Sequence, residues 1–290
     1  MHDSLLTMDR QKRTPFLASG EDYASAKAVI LGVPMDWTAS FRPGSRFGPA
    51  SIREVSEAIE EYSFYRDKSL FDLDYYDAGD LILPFGNVEA SLELIRQAVT
   101  LILDEDKTPL LLGGEHLITY PVIQAMQQKY PDLRLLHFDA HADLREAYIG
   151  QIASHTSVMR LTHAILGDGR IYQFGIHSGA REEFSFAAEH TRLIRGDIFE
   201  GLSSVRAELA ERPVYVSIDI DVLDPAHAPG TGTPECGGQT SSALIGAFDI
   251  LAQLRIIGLD LVEVVPANVF SSRTSLLAAV LLREALMVTA

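Results

Sequence analysis

This 290-residue chain has almost no cysteine and almost no tryptophan, one of each, Cys236 and Trp37. A lone cysteine cannot close an internal disulfide, which excludes a disulfide-stapled scaffold and fits a reducing, cytoplasmic location. Positive charge is also short: Lys and Arg number 24 against 40 Asp and Glu, for a formal net charge of −16. Nucleic-acid partners need a basic surface and are excluded. An acidic surface serves solubility in any protein, and it also attracts a cationic ligand. Long apolar runs are missing, so no membrane span is expected, and residues 1–13 lack the apolar core of a signal segment. Apolar residues as a class are plentiful, 47%, enough for a large core. The length is at the upper end for one domain. Residues 1–20 read as a flexible lead-in and 21–290 as one folded domain.

Short apolar runs alternate with helical periodicities. Runs at 28–34, 108–112, 133–140, 170–176, 191–194, 214–222 and 255–264 read as strands, most of them buried on both faces. Residues 72–80 read as a strand edge and turn. Segments 49–62, 88–103, 117–130, 155–166, 181–190, 199–209, 240–254 and 276–287 read as helices. Pro49 suits a first turn, and Leu92, Ile95, Val99 and Ile102 recur at helical spacing. No linker and no internal repeat interrupts the series. The pattern predicts a single-domain α/β fold: a doubly wound, mostly parallel sheet with helices on both faces.

The chemistry gathers at the ends of the strands. In Leu135-Leu136-His137-Phe138-Asp139-Ala140-His141-Ala142-Asp143, the residues Asp139, His141 and Asp143 recur at every second position. In an extended chain they point the same way. Without a cation, the converging carboxylates would repel and desolvate one another. A divalent metal removes that cost. His137 shares the parity but lies deeper, and reads as a hydrogen-bonded core histidine. Asp219 and Asp221 repeat the pattern in the apolar run 214–222, where buried Asp is rare unless paired or metal-bound. His116 follows Gly113-Gly114-Glu115 at a strand-to-helix turn; no Gly-Lys-Ser/Thr follows, so this is not a phosphate loop. Four carboxylates and two imidazoles are too many for one tetrahedral zinc. They suit two octahedral ions sharing a carboxylate, and the oxygen-rich set favours manganese.

Other residues are weighed in the same way. Ser154 is a fit N-cap, which sets His155 beside the metal loop, where a histidine outside the ligand set serves as proton carrier. Glu263 ends an apolar strand and needs an arginine, a metal or a cationic substrate as partner. His163 reads as a surface helix residue, and His177 as structural rather than site-lining. Cys236 carries no mark of a nucleophile. The loop 35–49, with Trp37, Arg42 and Arg46, divides evenly between a rim of the site and a packed surface loop. The Gly- and Pro-rich loop 224–238 is placed to shape a pocket.

Gly113-Gly114-Glu115-His116, Asp139-Ala140-His141-Ala142-Asp143, Ser217-Ile218-Asp219-Ile220-Asp221 and Glu263-Val264-Val265-Pro266 resemble, in order and spacing, the ureohydrolase family of arginases, agmatinases and formiminoglutamases. The resemblance runs over residues 28–288. Leu144-Arg145, Ser154-His155 and Val158-Met159-Arg160, with Gly32-Val33-Pro34 and Arg42-Pro43-Gly44 followed by Arg46-Phe47-Gly48-Pro49, look most like bacterial agmatinases. The resemblance implies that 21–290 is a catalytic domain. His116, Asp139, His141, Asp143, Asp219 and Asp221 would hold two manganese ions (two Mn2+ per subunit) bridged by hydroxide, with Asp143 also accepting a hydrogen bond from it. Glu263 would pair with the substrate guanidinium, and His155 would meet the substrate and transfer a proton. The implied reaction is attack on the guanidinium carbon of agmatine, giving urea and putrescine, in a homotrimer or homohexamer. There are two departures. Glu115 stands where arginases commonly have Asp, at a position that is not a ligand. His177 stands where an arginine is expected in the pocket wall.

Alternatives within the family are guanidinobutyrase, arginase and formiminoglutamase. Arginase needs polar groups for an α-amino acid tail, and the segment after Asp143 lacks the Asn-rich pattern for that. Formiminoglutamase needs a cation for its carboxylates, and Arg145 is the near candidate. Outside the family stand a non-catalytic metal-binding regulator and a two-metal phosphoester hydrolase. The second lacks a phosphate cradle, and Glu263 would repel a phosphate.

Overall fold

A computed structural model describes residues 4–266 and 272–290. Its strands in chain order are β1 (Arg10–Gln11), β2 (Ala28–Val33), β3 (Tyr62–Ser63), β4 (Lys68–Ser69), β5 (Tyr75–Leu81), β6 (Thr108–Gly113), β7 (Arg134–Phe138), β8 (Ile171–Phe174), β9 (Arg192–Ile194), β10 (Pro213–Asp219) and β11 (Arg255–Val262). The α-helices are α1 (Gly48–Ser56), α2 (Val88–Asp104), α3 (Thr119–Lys129), α4 (Val158–Leu166), α5 (Arg181–His190), α6 (Ile198–Leu209), α7 (Ser241–Leu251) and α8 (Arg273–Thr289). Nine strands form one sheet in the order β1-β5-β2-β6-β11-β10-β7-β8-β9. Every pair in it is parallel except β1 with β5. The α/β, mostly parallel architecture expected from the alternation is the one observed.

The central strands are mostly apolar because both faces are covered. Alternation divides their side chains between two cores: Leu136, Phe138 and Val216 fall in one, Leu135 and Tyr215 in the other. Helices α1, α8, α7 and α6 pack in series with the first core, and α2, α3 and α4 with the second. Among the described residues, no helix is long and apolar enough to cross a membrane.

Two boundaries differ from the sequence reading. Helix α1 ends at Ser56 rather than near residue 62, because Tyr62–Ser63 turns into a small hairpin with Lys68–Ser69. Buried Ser63 then donates to Glu284 on α8 (2.8 Å). Residues 4–20, expected as a loose lead-in, are packed along the sheet edge: β1 pairs with β5, and Leu5 and Phe16 are buried. Phe16 N–H donates to Asp77 (2.8 Å) and Arg13 to Asp80 (2.7 Å), which ties this segment to β5.

The sheet places the chemistry. Strands β6, β11, β10 and β7 are neighbours at its centre, and the chain reverses winding direction around them. Ligand sites of open α/β sheets lie outside the carboxyl ends of strands at such reversals. His116, Glu263, Asp219 and Asp139 each stand at the carboxyl end of one of these four strands.

Candidate metal centre

The spacing predicted strand residues pointing one way, but of the six expected ligands only Asp219 lies in a strand. Strand β7 ends at Phe138, and Asp139 begins a turn. Asp139 Oδ1 accepts the N–H of His141 (2.6 Å), and Asp143 adopts the left-handed backbone region (φ 53°). Asp219 is the last residue of β10, and its Oδ1 accepts the N–H of Asp221 (2.9 Å) in a short 3-10 turn. These carboxylates bond amides two residues on, as Asp does in turns. The turns, not the pleat, aim the side chains together. The Asp143 carbonyl also receives the N–H groups of Met159 and Arg160 (3.0 and 3.2 Å), which anchors the turn to α4.

His116 arrives by close backbone approach. Glu115 N–H donates to the Met35 carbonyl and Glu263 N–H to the Gly114 carbonyl (2.8 and 2.9 Å). A Cβ on Gly114 would sit 1.8 Å from the Met35 oxygen, so only glycine fits. Glu263 takes a positive φ (62°), and its Oε1 accepts the N–H of His116 (2.9 Å).

The six expected ligands converge in two groups. His116 Nδ1 lies 3.0 Å from Asp139 Oδ2, 3.2 Å from Asp143 Oδ2 and 3.3 Å from Asp219 Oδ2. It is buried, with no well-formed hydrogen bond. His141 Nδ1 lies 3.1 Å from Asp221 Oδ2 and 3.5 Å from Asp139 Oδ1. Asp139 thus turns one oxygen to each group. An imidazole nitrogen ringed by carboxylate oxygens without a hydrogen bond fits a shared cation better than mutual pairing.

The surrounding network fixes the tautomers. Asp260, buried on β11, accepts from the Ser217 hydroxyl (2.7 Å), so Ser217 receives the Nε2–H of His116 (2.9 Å). A neutral His116 would therefore turn its Nδ1 lone pair toward the carboxylates, as ligation requires. Gln173 donates to His137 Nδ1 (3.1 Å), and His137 Nε2 then donates to Asp139 (2.8 Å). Both nitrogens of His137 are used, and it is the hydrogen-bonded core histidine its depth suggested.

The bare side chains strain against one another. Burial, then Asp221 and Asp139, hold Asp219 well above the usual carboxylate range. Burial and Asp139 push Asp143 up to about 7. Burial would lower His116, but Asp139, Asp143 and Asp219 outweigh it and hold it well above ordinary histidine. Dications would take the place of these protons.

A cavity of about 310 Å³ opens over the cluster, lined in part by Ser40, Arg145, His155, Ser178, Glu235 and Glu263. His155 stands between two hydroxyls, Nδ1 at 3.2 Å from Thr38 and Nε2 at 3.0 Å from Ser40. Burial, then His116 and His141, push it down to about 4. Buried Glu115 accepts from the Thr38 amide and hydroxyl (2.6 and 3.1 Å), so it positions the residue that holds His155. The loop 35–49 therefore serves the site through Thr38 and Ser40, which the sequence reading passed over. Its Trp37 bonds Ser91 instead, while Arg42 and Arg46 stack on Phe41 and Phe47. His177 is exposed, bonded to the Gly175 carbonyl (2.7 Å), and is not among the residues lining the cavity. Cys236 is exposed, and His163 pairs with Asp168 at the surface (2.8 Å).

The sequence profile of the arginase family matches residues 26–288. An agmatinase of Bacillus cereus is 51% identical over 275 residues, 94% of this chain and 95% of that one. A guanidinobutyrase of Pseudomonas aeruginosa is 36% identical, over 95% of this chain and 90% of its own length. The crystal structure of the agmatine ureohydrolase of Thermoplasma volcanium superposes with a TM-score of 0.86 at 32% identity, covering 96% of this chain and 95% of that one. With its sheet, its paired acidic turns and these likenesses in agreement, the chain belongs to the arginase family.

Proposed function

We propose that this chain hydrolyses agmatine to urea and putrescine at a site that takes two manganese ions. The observation that carries the reading is one cavity lined by His116, His141, Asp143 and Asp219 of the cluster together with Glu263. The likeness to named agmatinases supports the substrate. When bound, the two dications would act as Lewis acids that make water a nucleophile near neutral pH. His116, Asp139, Asp143 and Asp219 would hold one, and His141, Asp139 and Asp221 the other.

A guanidinium carbon is a poor electrophile because its charge is delocalised, so it must be fixed and its charge matched. Glu263 serves that purpose. One of its oxygens is spent on the His116 amide (2.9 Å), and the other remains for the guanidinium. Burial, with Glu115 also raising it, holds Glu263 well above the usual carboxylate range, and a cationic partner would reverse that. Asp143 would also accept a hydrogen bond from the attacking water. The amine must depart protonated, and His155, a neutral imidazole steered by Thr38 and Ser40, would relay that proton. The single free cysteine suits the cytoplasm. Exposed aromatic residues such as Phe64 and Phe85 suit assembly into a homotrimer or homohexamer.

The test is urea release by manganese-loaded protein offered agmatine, arginine and guanidinobutyrate side by side, with formamide read for formiminoglutamate. Urea from agmatine is the expected result. Turnover of none of them, with two ions bound per chain, would return the protein to the regulator reading.

A further inference from the structure

The guanidinium seat leaves the other end of the substrate unplaced. Agmatine is a dication at neutral pH, with a primary ammonium at the far end of its butyl chain. Beside the cluster carboxylates, the acids lining the cavity are Glu263, Glu183 and Glu235. Glu183 is committed to the fold: its oxygens accept the N–H groups of Leu144 (3.0 Å) and Ala180 (2.7 Å), and Arg145 stands 3.5 Å away. Glu235 is not committed in this way. Its Oε1 accepts from the Ser178 hydroxyl (2.9 Å) and lies 3.7 Å from His141 Nε2. Among the described residues, its Oε2 has no hydrogen-bond partner, and the side chain is 43% exposed at the rim.

The position of Glu235 is fixed. Ser178 N–H donates to the Ala140 carbonyl (2.8 Å), and Ala142 N–H donates to the Ser178 carbonyl (3.0 Å), so Ser178 is tied to the metal loop on both sides. Nε2 of His141 is the ring nitrogen away from the cluster. Glu235 therefore stands one imidazole ring outside the metal centre, on the open side of the cavity.

We propose that Glu235 is a specificity-determining residue that receives the terminal ammonium of the substrate. The proposal rests on the guanidinium seat at Glu263. Charge balance supports it. Arg145, the one Lys or Arg among the described lining residues, is matched by Glu183. Glu263 and Glu235 then remain as two negative charges for a dicationic ligand. A guanidino acid would bring its carboxylate against Glu235 and be disfavoured. A different role is also defined by the contacts: Glu235 could orient His141 as an outer-shell carboxylate.

The experiment separates the two. Glu235→Gln and Glu235→Ala, in the metal-loaded full chain, are compared with the unmodified protein for agmatine kinetics, inhibition by butylguanidine and metal content. Butylguanidine has the same guanidinium and a neutral tail. The expected result is a rise in KM for agmatine of about tenfold, with butylguanidine inhibition and metal content unchanged. An unaltered KM overturns the proposal. Loss of metal, or equal weakening of both ligands, overturns it too and makes Glu235 a positioning residue for His141. Glu263→Gln serves as the control: it should weaken both ligands alike, and if it does not, the guanidinium seat fails independently of Glu235.

Discussion

Two clusters of buried charge lie on this sheet, and the chain balances them by different means. Beside β5, Arg53 on α1 is 1% exposed and reaches Asp77 through Nε and Nη2 (2.7 and 2.9 Å) and Asp80 through Nη1 (2.6 Å). The remaining oxygen capacity is taken by the Phe16 and Gly79 amides and by Arg13. Gly32 leaves the room for this pair, since a Cβ there would sit 1.8 Å from Asp80 Oδ1. At the centre of the sheet, Asp139, Asp143, Asp219 and Asp221 face two imidazoles and, among the described residues, no guanidinium or ammonium. The edge cluster carries its own cations and is structural. The central cluster has no such guanidinium among the described residues, and that deficit supports the proposed metal site.

The largest expected effect breaks the central cluster. Asp139→Asn removes the carboxylate that faces both histidines, so metal content measured by mass spectrometry should fall below two ions per chain. Urea release should drop by about a thousandfold, ~4 kcal/mol in the barrier. Retention of both ions would sink the ligand assignment. Breaking the edge cluster should instead cost stability. Arg53→Met leaves buried Asp77 without a guanidinium and Asp80 with Arg13 alone, and should lower unfolding free energy by about 3–5 kcal/mol, read from the denaturant midpoint. Adding Asp77→Asn and Asp80→Asn should recover part of that loss. If manganese rescued Arg53→Met, the edge cluster would be a cation site as well, and the contrast would collapse.

Glu263→Gln sharpens the boundary of the centre. It should cut turnover by about a hundredfold with two ions still bound; loss of metal would reassign Glu263 as a ligand. The smallest effect is a pH dependence. Burial would lower His116 and His141, but the adjoining carboxylates hold both above ordinary histidine, so as bare ligands they keep protons near neutral pH. Ligation needs neutral imidazole, so ion uptake releases protons and affinity rises with pH. The slope should be about tenfold per unit for each proton released. Calorimetry in buffers of different ionisation enthalpy counts those protons, and a count of zero would contradict the sign.

The two clusters also differ in how visible they were before folding. The central acids stand as close repeats, Asp139 to Asp143 and Asp219 to Asp221, after apolar runs, and local spacing was enough to single them out. Arg53, Asp77 and Asp80 come from separate elements in ordinary surroundings, so nothing local joined them. Asp260 interrupts an apolar strand just as Asp219 does, so the sequence carried a signal for it as well. Glu235 lay in the Gly- and Pro-rich loop already read as pocket-forming. Thr38 and Ser40 left no signal: hydroxyl residues are common in loops, and their role depends on His155, more than a hundred positions away.

The sequence by itself determined the alternation of strands and helices, the parallel sheet buried on both faces, and the residue types at the carboxyl ends of its central strands. Those follow from periodicity and from the cost of burying unpaired charge, both of which act over a few residues. Only the tertiary structure brings Asp139, Asp143 and Asp219 around one nitrogen of His116, aims them by turns and not by the pleat, and sets Glu235 outside His141 with one oxygen unbonded among the described residues. Those are relations between segments distant in the chain. They are set by strand order and by close backbone contacts at Gly114 and Ser178, which no local pattern encodes.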